Sequence, residues 1–211
     1  MTVGIVDYGV GNLGSVFRAI ELIDQKAKII QQPSELASVT KVILPGVGNF
    51  TDCKNSLDSS GWSDALKANV IDLGLPMLGI CVGMQLLADS SSEGALNEGQ
   101  TPGLGFISGS VQSLKDLGCE ERVPHMGWNS VSSSNKDNLF KDIPDNTDFY
   151  FVHSYAFVPK SDESIQAITN HGIEIVASVQ QDNICGTQFH PEKSSKAGLK
   201  VIKNFLDCSK W

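Results

Sequence analysis

Several absences narrow the field. The five cysteines of this 211-residue chain, Cys53, Cys81, Cys119, Cys185 and Cys208, are odd in number and widely spaced, with no CxxC pair. That argues against a disulfide framework and against a zinc site. No run of about 18 apolar residues occurs, so no segment reads as a bilayer span. The start, MTVGIVDYGVG, has no basic leader and its apolar run is broken by Asp7, so it does not read as a signal peptide. Positive charge is scarce: 16 Lys and Arg stand against 24 Asp and Glu, a net −8, and no basic cluster is visible. An acidic surface repels phosphate backbones and anionic lipid, so neither nucleic acid nor a membrane is an expected partner. The cytoplasm is the expected compartment, and nothing in the sequence requires a cofactor or a metal.

Apolar residues make up 41% of the chain, enough to build one core, and the whole of 1–211 is expected to form one domain. The first half alternates strand and helix signals. Strands are predicted at Val3–Asp7, Ala27–Ile30, Lys41–Leu44 and Pro76–Ile80. Helices are predicted over about Asn12–Ile23, Thr51–Leu57, Trp62–Leu73 and Val82–Ala88. Alternation of this kind implies a largely parallel sheet covered on both faces. In the second half Phe149–Val152, Ile165–Thr169, Glu174–Val179 and Ile184–Phe189 follow one another closely, which suits antiparallel pairing. Ser194–Leu206 closes the chain as an amphipathic helix, and the polar stretches Ser90–Gly105 and Ser132–Asn138 read as loops. The fold class is therefore α/β, one mixed and largely parallel sheet between helices, with antiparallel strands in the C-terminal half.

Gly9-Val10-Gly11-Asn12-Leu13-Gly14 matches the dinucleotide fingerprint G-x-G-x-x-G between a strand and a helix. The fingerprint also needs an acid at the end of the second strand. Ile29-Ile30 is followed by Gln31-Gln32-Pro33, and Glu35 lies beyond the proline in a turn. A tight turn that needs glycine for backbone reasons is the better reading.

Gly79-Ile80-Cys81-Val82-Gly83 sits between an apolar strand and a helix. It has the G-x-nucleophile-x-G form of a nucleophile elbow, in which small neighbours allow a sharp turn that lifts the side chain above the sheet edge. Cys81 then faces the N-terminus of the next helix, whose positive end favours a thiolate, and the Val82 amide lies where an oxyanion would form. A buried structural cysteine is the plainer alternative and fits Cys53, Cys185 and Cys208; Cys119 falls in a polar loop. Of four histidines, His190 ends an apolar strand and is followed by Pro191-Glu192. The proline restricts the turn and brings the Glu192 carboxylate toward the imidazole. Cysteine as nucleophile, histidine as base and glutamate as orienter form a triad suited to hydrolysing a carboxamide. His171, before Gly172, is expected to be exposed.

The blocks GICVGMQ and TQFHPEKS resemble those of the class I, triad glutamine amidotransferases. VDYGVGN, LPGVGNF, HMGWN and YFVHSY, in that order, resemble the glutaminase subunits of imidazole glycerol phosphate synthases, and the likeness runs from the first strand almost to the C-terminus. The resemblance implies a flavodoxin-like fold and hydrolysis of glutamine to glutamate and ammonia. It implies that Gln85 holds the glutamine, and that Gly46, Val47 and Gly48 supply backbone contacts and the second oxyanion donor. His153, Ser154 and Tyr155 would bind the amino-acid end of glutamine, largely through main chain, with the His153 side chain not acting as base. It also implies a (β/α)8-barrel cyclase partner in a heterodimer, faced by Asn12, Met126, Trp128 and Lys193. That partner would use the ammonia to form imidazole glycerol phosphate and aminoimidazole carboxamide ribonucleotide. Val82 stands where leucine is common and Ala156 where an aromatic is frequent; neither touches the triad. The alternatives are the same glutaminase feeding another acceptor, as in surface-polysaccharide pathways, a stand-alone cysteine hydrolase, and a nucleotide-binding module on Gly9–Gly14.

Overall fold

The computed structural model describes residues 2–95, 99–133 and 138–208. Parts of the expected loops Ser90–Gly105 and Ser132–Asn138, namely 96–98 and 134–137, lie outside the described residues. The first half runs β1 (Val3–Val6), α1 (Leu13–Glu21), β2 (Ala27–Ile30), β3 (Lys41–Gly46), α2 (Phe50–Ser59), α3 (Trp62–Leu66), β4 (Met77–Cys81) and α4 (Val82–Gln85). The second half runs β5 (Ser90–Ser91), β6 (Thr101–Pro102), β7 (Gly109–Ser113), β8 (His125–Ser133), β9 (Thr147–His153), β10 (Tyr155–Pro159), β11 (Ile165–Asn170), β12 (Glu174–Gln181), β13 (Ile184–Thr187) and α5 (Ser195–Asp207).

Nine strands form the main sheet, in the order β2-β1-β3-β4-β13-β12-β11-β8-β9. Pairing is parallel from β2 to β13 and antiparallel from β13 to β9. The change follows from the connections. Helices and turns carry the chain back between the parallel strands, whereas β11, β12 and β13 follow one another through short turns that permit only antiparallel neighbours. Strands β1, β3, β4 and β13 are buried along their whole length, as expected of parallel strands covered on both faces. A second sheet, in the order β10-β7-β5-β6, was not legible in the sequence.

Local chemistry sets the helix ends. Asn12 Oδ1 accepts from Ser15 N at 3.3 Å and caps α1, and Asn49 Oδ1 accepts from Asp52 N at 2.8 Å and caps α2. α1 buries Val16, Ala19 and Ile20, and packs against α5, which buries Val201, Ile202, Phe205 and Leu206. The buried Lys41 of β3 donates to Phe205 O at 2.6 Å and Cys208 O at 2.5 Å, satisfying carbonyls that the end of α5 leaves open. No helix among the described residues is long and apolar enough to cross a membrane.

Three differences from expectation have local causes. The helix after Cys81 has four residues rather than seven, because the carbonyls of Leu86, Leu87 and Ala88 accept from Leu104, Phe106, Ile107 and Gly105 instead of continuing the helical ladder. β8 escaped notice because its pattern is inverted: His125 is buried while Met126 and Trp128 are 62% and 55% exposed. Cys119 is buried against Leu114, Ala156 and Ile175, and its thiol donates to His171 O at 3.1 Å.

Phe189 lies directly before His190 and is buried in an aromatic cluster. It stacks on Phe149 at 4.2 Å between centroids and meets Phe151 and Phe140 edge-on at 5.8 and 6.4 Å. Phe189→Ala should therefore lower folding stability by about 3–5 kcal/mol, seen as a lower urea midpoint at unchanged m-value. A loss under about 1 kcal/mol would show that the cluster does not fix this strand end.

Candidate active site

The parallel strands place their C-terminal ends along one edge, where loops converge on a cavity. Gly46 at the end of β3 is level with Cys81 at the end of β4, and Thr187 at the end of β13 is level with Ile80. Val47 and Gly48 continue from β3, and His190 lies three residues beyond β13. A cavity of about 360 Å³ opens here, lined by Val47, Gly48, Cys81, Val82, Gln85, Glu93, His153, Ser154, Tyr155, His190 and Lys193 among others.

Cys81 adopts φ 56° and ψ −111°, a conformation costly for any residue with a side chain, on the order of 1–3 kcal/mol. Two glycines make the turn feasible. A Cβ on Gly79 would meet Gly83 O at 2.5 Å, and a Cβ on Gly83 would overlap the Leu44 carbonyl oxygen. The elbow read from the sequence is thus present. Because α4 is a single turn, the field of a long helix does not act on Cys81.

Pro191 begins a 3-10 turn over Pro191–Lys193, and His190 sits before it at φ −95°, ψ 96°. The turn folds Glu192 back so that His190 Nδ1 lies 2.8 Å from Glu192 Oε1, with both side chains nearly fully buried. The other ring nitrogen, Nε2, is left for Cys81. Burial pulls the imidazole toward its neutral form. Hydrogen bonds to Cys81 and Glu192, together with their negative charge, outweigh burial and hold its pKa at about 9.

Gln85 is buried at the cavity wall, and its Nε2 donates to Tyr155 O at 2.9 Å and to Gln188 Oε1 at 3.0 Å. Gln188 Nε2 in turn points at Cys81 Sγ at 3.8 Å. Gln188 was missed, although it is two residues before His190 and so on the same side of an extended segment, a pattern readable in TQFHPEKS. Glu93 was missed too. It lies in an irregular stretch without periodicity, and only the fold brings it to the cavity. Its carboxylate accepts from Phe50 N at 2.9 Å, and burial, with the nearby Asp52 charge, raises its pKa against that hydrogen bond.

Other expected residues are placed as follows. Gly46 is buried behind the cavity wall, against Val82 and Gly83. His153 lines the cavity but its Nδ1 is bonded to Tyr155 O at 2.8 Å, and burial, with the charges of neighbouring histidines, lowers its pKa to about 3. Its ring is therefore committed elsewhere than to Cys81. Met126 and Trp128 are exposed on β8, and Tyr150 connects Trp128 (ring centroids at 6.2 Å) to the exposed Lys193 (Nζ at 5.9 Å from the ring). Asn12 is at the same sheet edge, beyond β1, where it caps α1. His171 is half-buried, not exposed, and stacks on His125. In the Gly9–Gly14 turn, Gly9 and Gly11 have positive φ, and the Glu35 carboxylate accepts from the Gln31 and Gln32 amides at 2.8 and 3.0 Å. It is thereby occupied in a turn and does not present itself to a ribose. Among the described residues no group of His, Cys, Asp and Glu side chains is arranged to hold a metal ion.

The model of the glutamine amidotransferase class-I family matches residues 5–208. The imidazole glycerol phosphate synthase subunit HisH of Moorella thermoacetica is 45% identical over 203 residues, covering 96% of this chain and 93% of the relative. The subunit of the same name from Geobacter metallireducens is 41% identical, covering 97% of both chains. A crystal structure of a glutamine amidotransferase superposes with a TM-score of 0.75 at 18% identity, covering 97% of each chain, a likeness of fold.

The histidines give the pH dependence of stability a definite shape. His125, lowered to about 4 by burial and the His171 charge, and His153, at about 3, bind fewer protons folded than unfolded below pH 6.5, so stability falls as pH drops. His190 binds more protons folded than unfolded between pH 6.5 and about 9, so its contribution is complete below 6.5 and is lost as pH rises through 9. Urea midpoints measured from about pH 5 to about pH 9 should fall on both sides. Cys81→Ala, which removes part of what holds the His190 pKa up, should flatten the alkaline limb. An alkaline limb identical in the two proteins would mean that Cys81 does not interact with His190.

Proposed function

The chain belongs to the class-I glutamine amidotransferase family, and from that premise we propose that Cys81, His190 and Glu192 are the catalytic triad of its glutaminase, carried by the whole of 1–211 as one amidotransferase domain. Its function is that of the glutaminase subunit of imidazole glycerol phosphate synthase in histidine biosynthesis: glutamine and water become glutamate and ammonia, and a cyclase subunit uses the ammonia to form imidazole glycerol phosphate and aminoimidazole carboxamide ribonucleotide. The observation that carries the site assignment is the buried 2.8 Å pair of His190 and Glu192 beside a strained cysteine at the wall of a cavity.

Cys81 Sγ attacks the carboxamide carbon of glutamine and a tetrahedral oxyanion forms. The Val82 amide, with an amide of Val47 or Gly48 across the cavity, stabilises the oxygen, a contact worth ~10²–10³ in turnover when removed. His190, protonated at its resting pKa of about 9, passes its Nε2 proton to the leaving nitrogen, and ammonia departs from a thioester. Water then attacks the thioester, with neutral His190 taking its proton, and glutamate leaves as Cys81 is restored. Glu192 fixes the tautomer and stabilises the imidazolium. Glu93 accepts the substrate's α-ammonium, since it is the acid in this cavity wall, and the 153–155 backbone meets the α-carboxylate. Gln85 contributes its remaining carbonyl oxygen and the rigidity of its hydrogen bonds.

The partner on this reading is a (β/α)8-barrel cyclase in a heterodimer, docked over Met126, Trp128, Lys193 and Asn12. Supporting it are two large apolar side chains exposed on β8 and a lysine joined to one of them, Trp128, through Tyr150 at the cavity mouth. Ammonia set free in neutral water would be protonated and lost to the reaction, so an acceptor site must adjoin this one. The compartment is the cytoplasm.

Glutamate release should be measured for wild type and Cys81→Ala, each with and without the cyclase loaded with its ribonucleotide acceptor. Wild type should be active and stimulated by the loaded partner, and the variant silent. Hydrolysis that survives Cys81→Ala would overturn the triad, and activity indifferent to that partner would move the chain to another acceptor. In the same assay Glu93→Gln should raise the glutamine KM by about tenfold or more with a smaller change in kcat; an unchanged KM would remove Glu93 from the ammonium site.

A further inference from the structure

Three of the four histidines lie outside the triad, and two of them are hydrogen-bonded to each other. His125 Nδ1 is 2.9 Å from His153 Nε2 across the register pair that joins β8 to β9. His153 Nδ1 is 2.8 Å from Tyr155 O, and His125 Nε2 is 3.1 Å from Asn129 Nδ2. His125 is sandwiched between Phe151 and His171, with centroids at 4.7 and 4.3 Å.

The proton positions follow from either end of this row. Asn129 Oδ1 accepts from Ser130 N at 2.9 Å and its Nδ2 donates to Asn170 O at 2.7 Å, so the amide orientation is set and Nδ2 faces His125 as a donor. His125 Nε2 must then accept, and a neutral ring carries its proton on Nδ1 and donates to His153 Nε2. From the other end, Tyr155 O can only accept, so His153 carries its proton on Nδ1 and its Nε2 must accept. Both ends demand the same polarity. Burial favours the neutral rings that this polarity requires.

The row continues into the active site. Tyr155 O also accepts from Gln85 Nε2, which donates as well to Gln188 Oε1, and Gln188 Nε2 points at Cys81 Sγ. We propose that His125 is a positioning residue for the glutaminase reaction: by donating to His153 it holds that ring in the Nδ1–H tautomer, which fixes the Tyr155 carbonyl and with it the 153–155 wall and Gln85. The relay begins on the strand that exposes Met126 and Trp128, on alternate residues from His125 and Asn129, so the position of that surface and the set of the substrate wall are mechanically joined. The inference deepens the glutaminase reading of this cavity and rests on it for its kinetic consequence, but the tautomers themselves do not depend on that reading.

The test has two arms. In the free protein, ring ¹⁵N NMR should show both His125 and His153 protonated at Nδ1, the less common neutral tautomer. In the complex with the loaded cyclase, His125→Phe keeps a ring in the stack but removes the donor. It should raise the glutamine KM by about tenfold, with kcat changed less, and shift His153 toward Nε2–H. His125→Asn, whose amide can donate from near the Nδ1 position, should bring KM back to within about threefold of wild type. A wild-type His153 protonated at Nε2, an unchanged KM in His125→Phe, or equal losses in the Phe and Asn variants would each overturn the proposal. A failure of the glutaminase reading is recognised separately, as wild-type protein without Cys81-dependent hydrolysis.

Discussion

The active site depends on one backbone torsion. Cys81 sits at φ 56°, ψ −111°, and everything that the cavity offers is arranged around the direction in which that torsion aims its sulfur. An L-residue does not hold such a conformation unless its surroundings over-determine it. Here β4 is clamped between β3 and β13, and α4 turns away so tightly that Gly83 lies against the Leu44 carbonyl and Gly79 against Gly83. The strain of the elbow, ~1–3 kcal/mol, is offset by the burial of β4 along its whole length. On the mechanism proposed for this site, one local turn therefore sets both the nucleophile, Cys81, and the oxyanion donor, the amide of the residue that follows it.

The histidine side of the site is fixed differently. His190 has no regular element of its own; β13 ends at Thr187. Its backbone amide donates to Tyr150 O at 2.9 Å, while Ser194 Oγ accepts from Tyr150 N at 3.0 Å and donates to His190 O at 2.6 Å. The turn from 190 to 194 is thereby bolted to β9, with Phe189 packed beneath it. A buried imidazolium is tolerable only with anionic partners, and Glu192 on one ring nitrogen and Cys81 on the other supply them. The raised pKa and the burial are two consequences of one arrangement.

Much of this was legible in the sequence, because the elbow and the His-Pro-Glu turn are local. Glycines two residues either side of Cys81, and a proline that restricts His190, act over a few residues and leave a readable trace. The parallel strands were equally readable as continuous apolar runs. What escaped was non-local. β8 puts a histidine inside and a tryptophan outside, so the usual correspondence between polarity and burial fails along it. β5, β6 and β7 have too little apolar content to reveal a second sheet, and β10, though apolar, follows β9 after a single residue and so reads as its continuation. Glu93 reaches the cavity only because Thr51, Phe50 and Thr101 gather around its segment. Gly46, assigned to the substrate by resemblance, adjoins the Val47–Gly48 loop and is buried by the close approach of α4.

The two halves of the main sheet divide the work. The parallel half supplies Cys81, where strand ends and helix starts meet at one edge. The antiparallel half supplies the wall facing it, through β9 and the step from His153 to Tyr155, where the chain leaves one sheet and enters the other. A residue at such a step lacks the regular ladder on one side and needs another means of fixing its peptide groups. The Tyr155 carbonyl has two, an imidazole N–H from the antiparallel half and an amide N–H from Gln85 behind the elbow. That single oxygen therefore takes hydrogen bonds from both halves, and through it the positioning role proposed for His125 ties β8 to the atoms that surround Cys81.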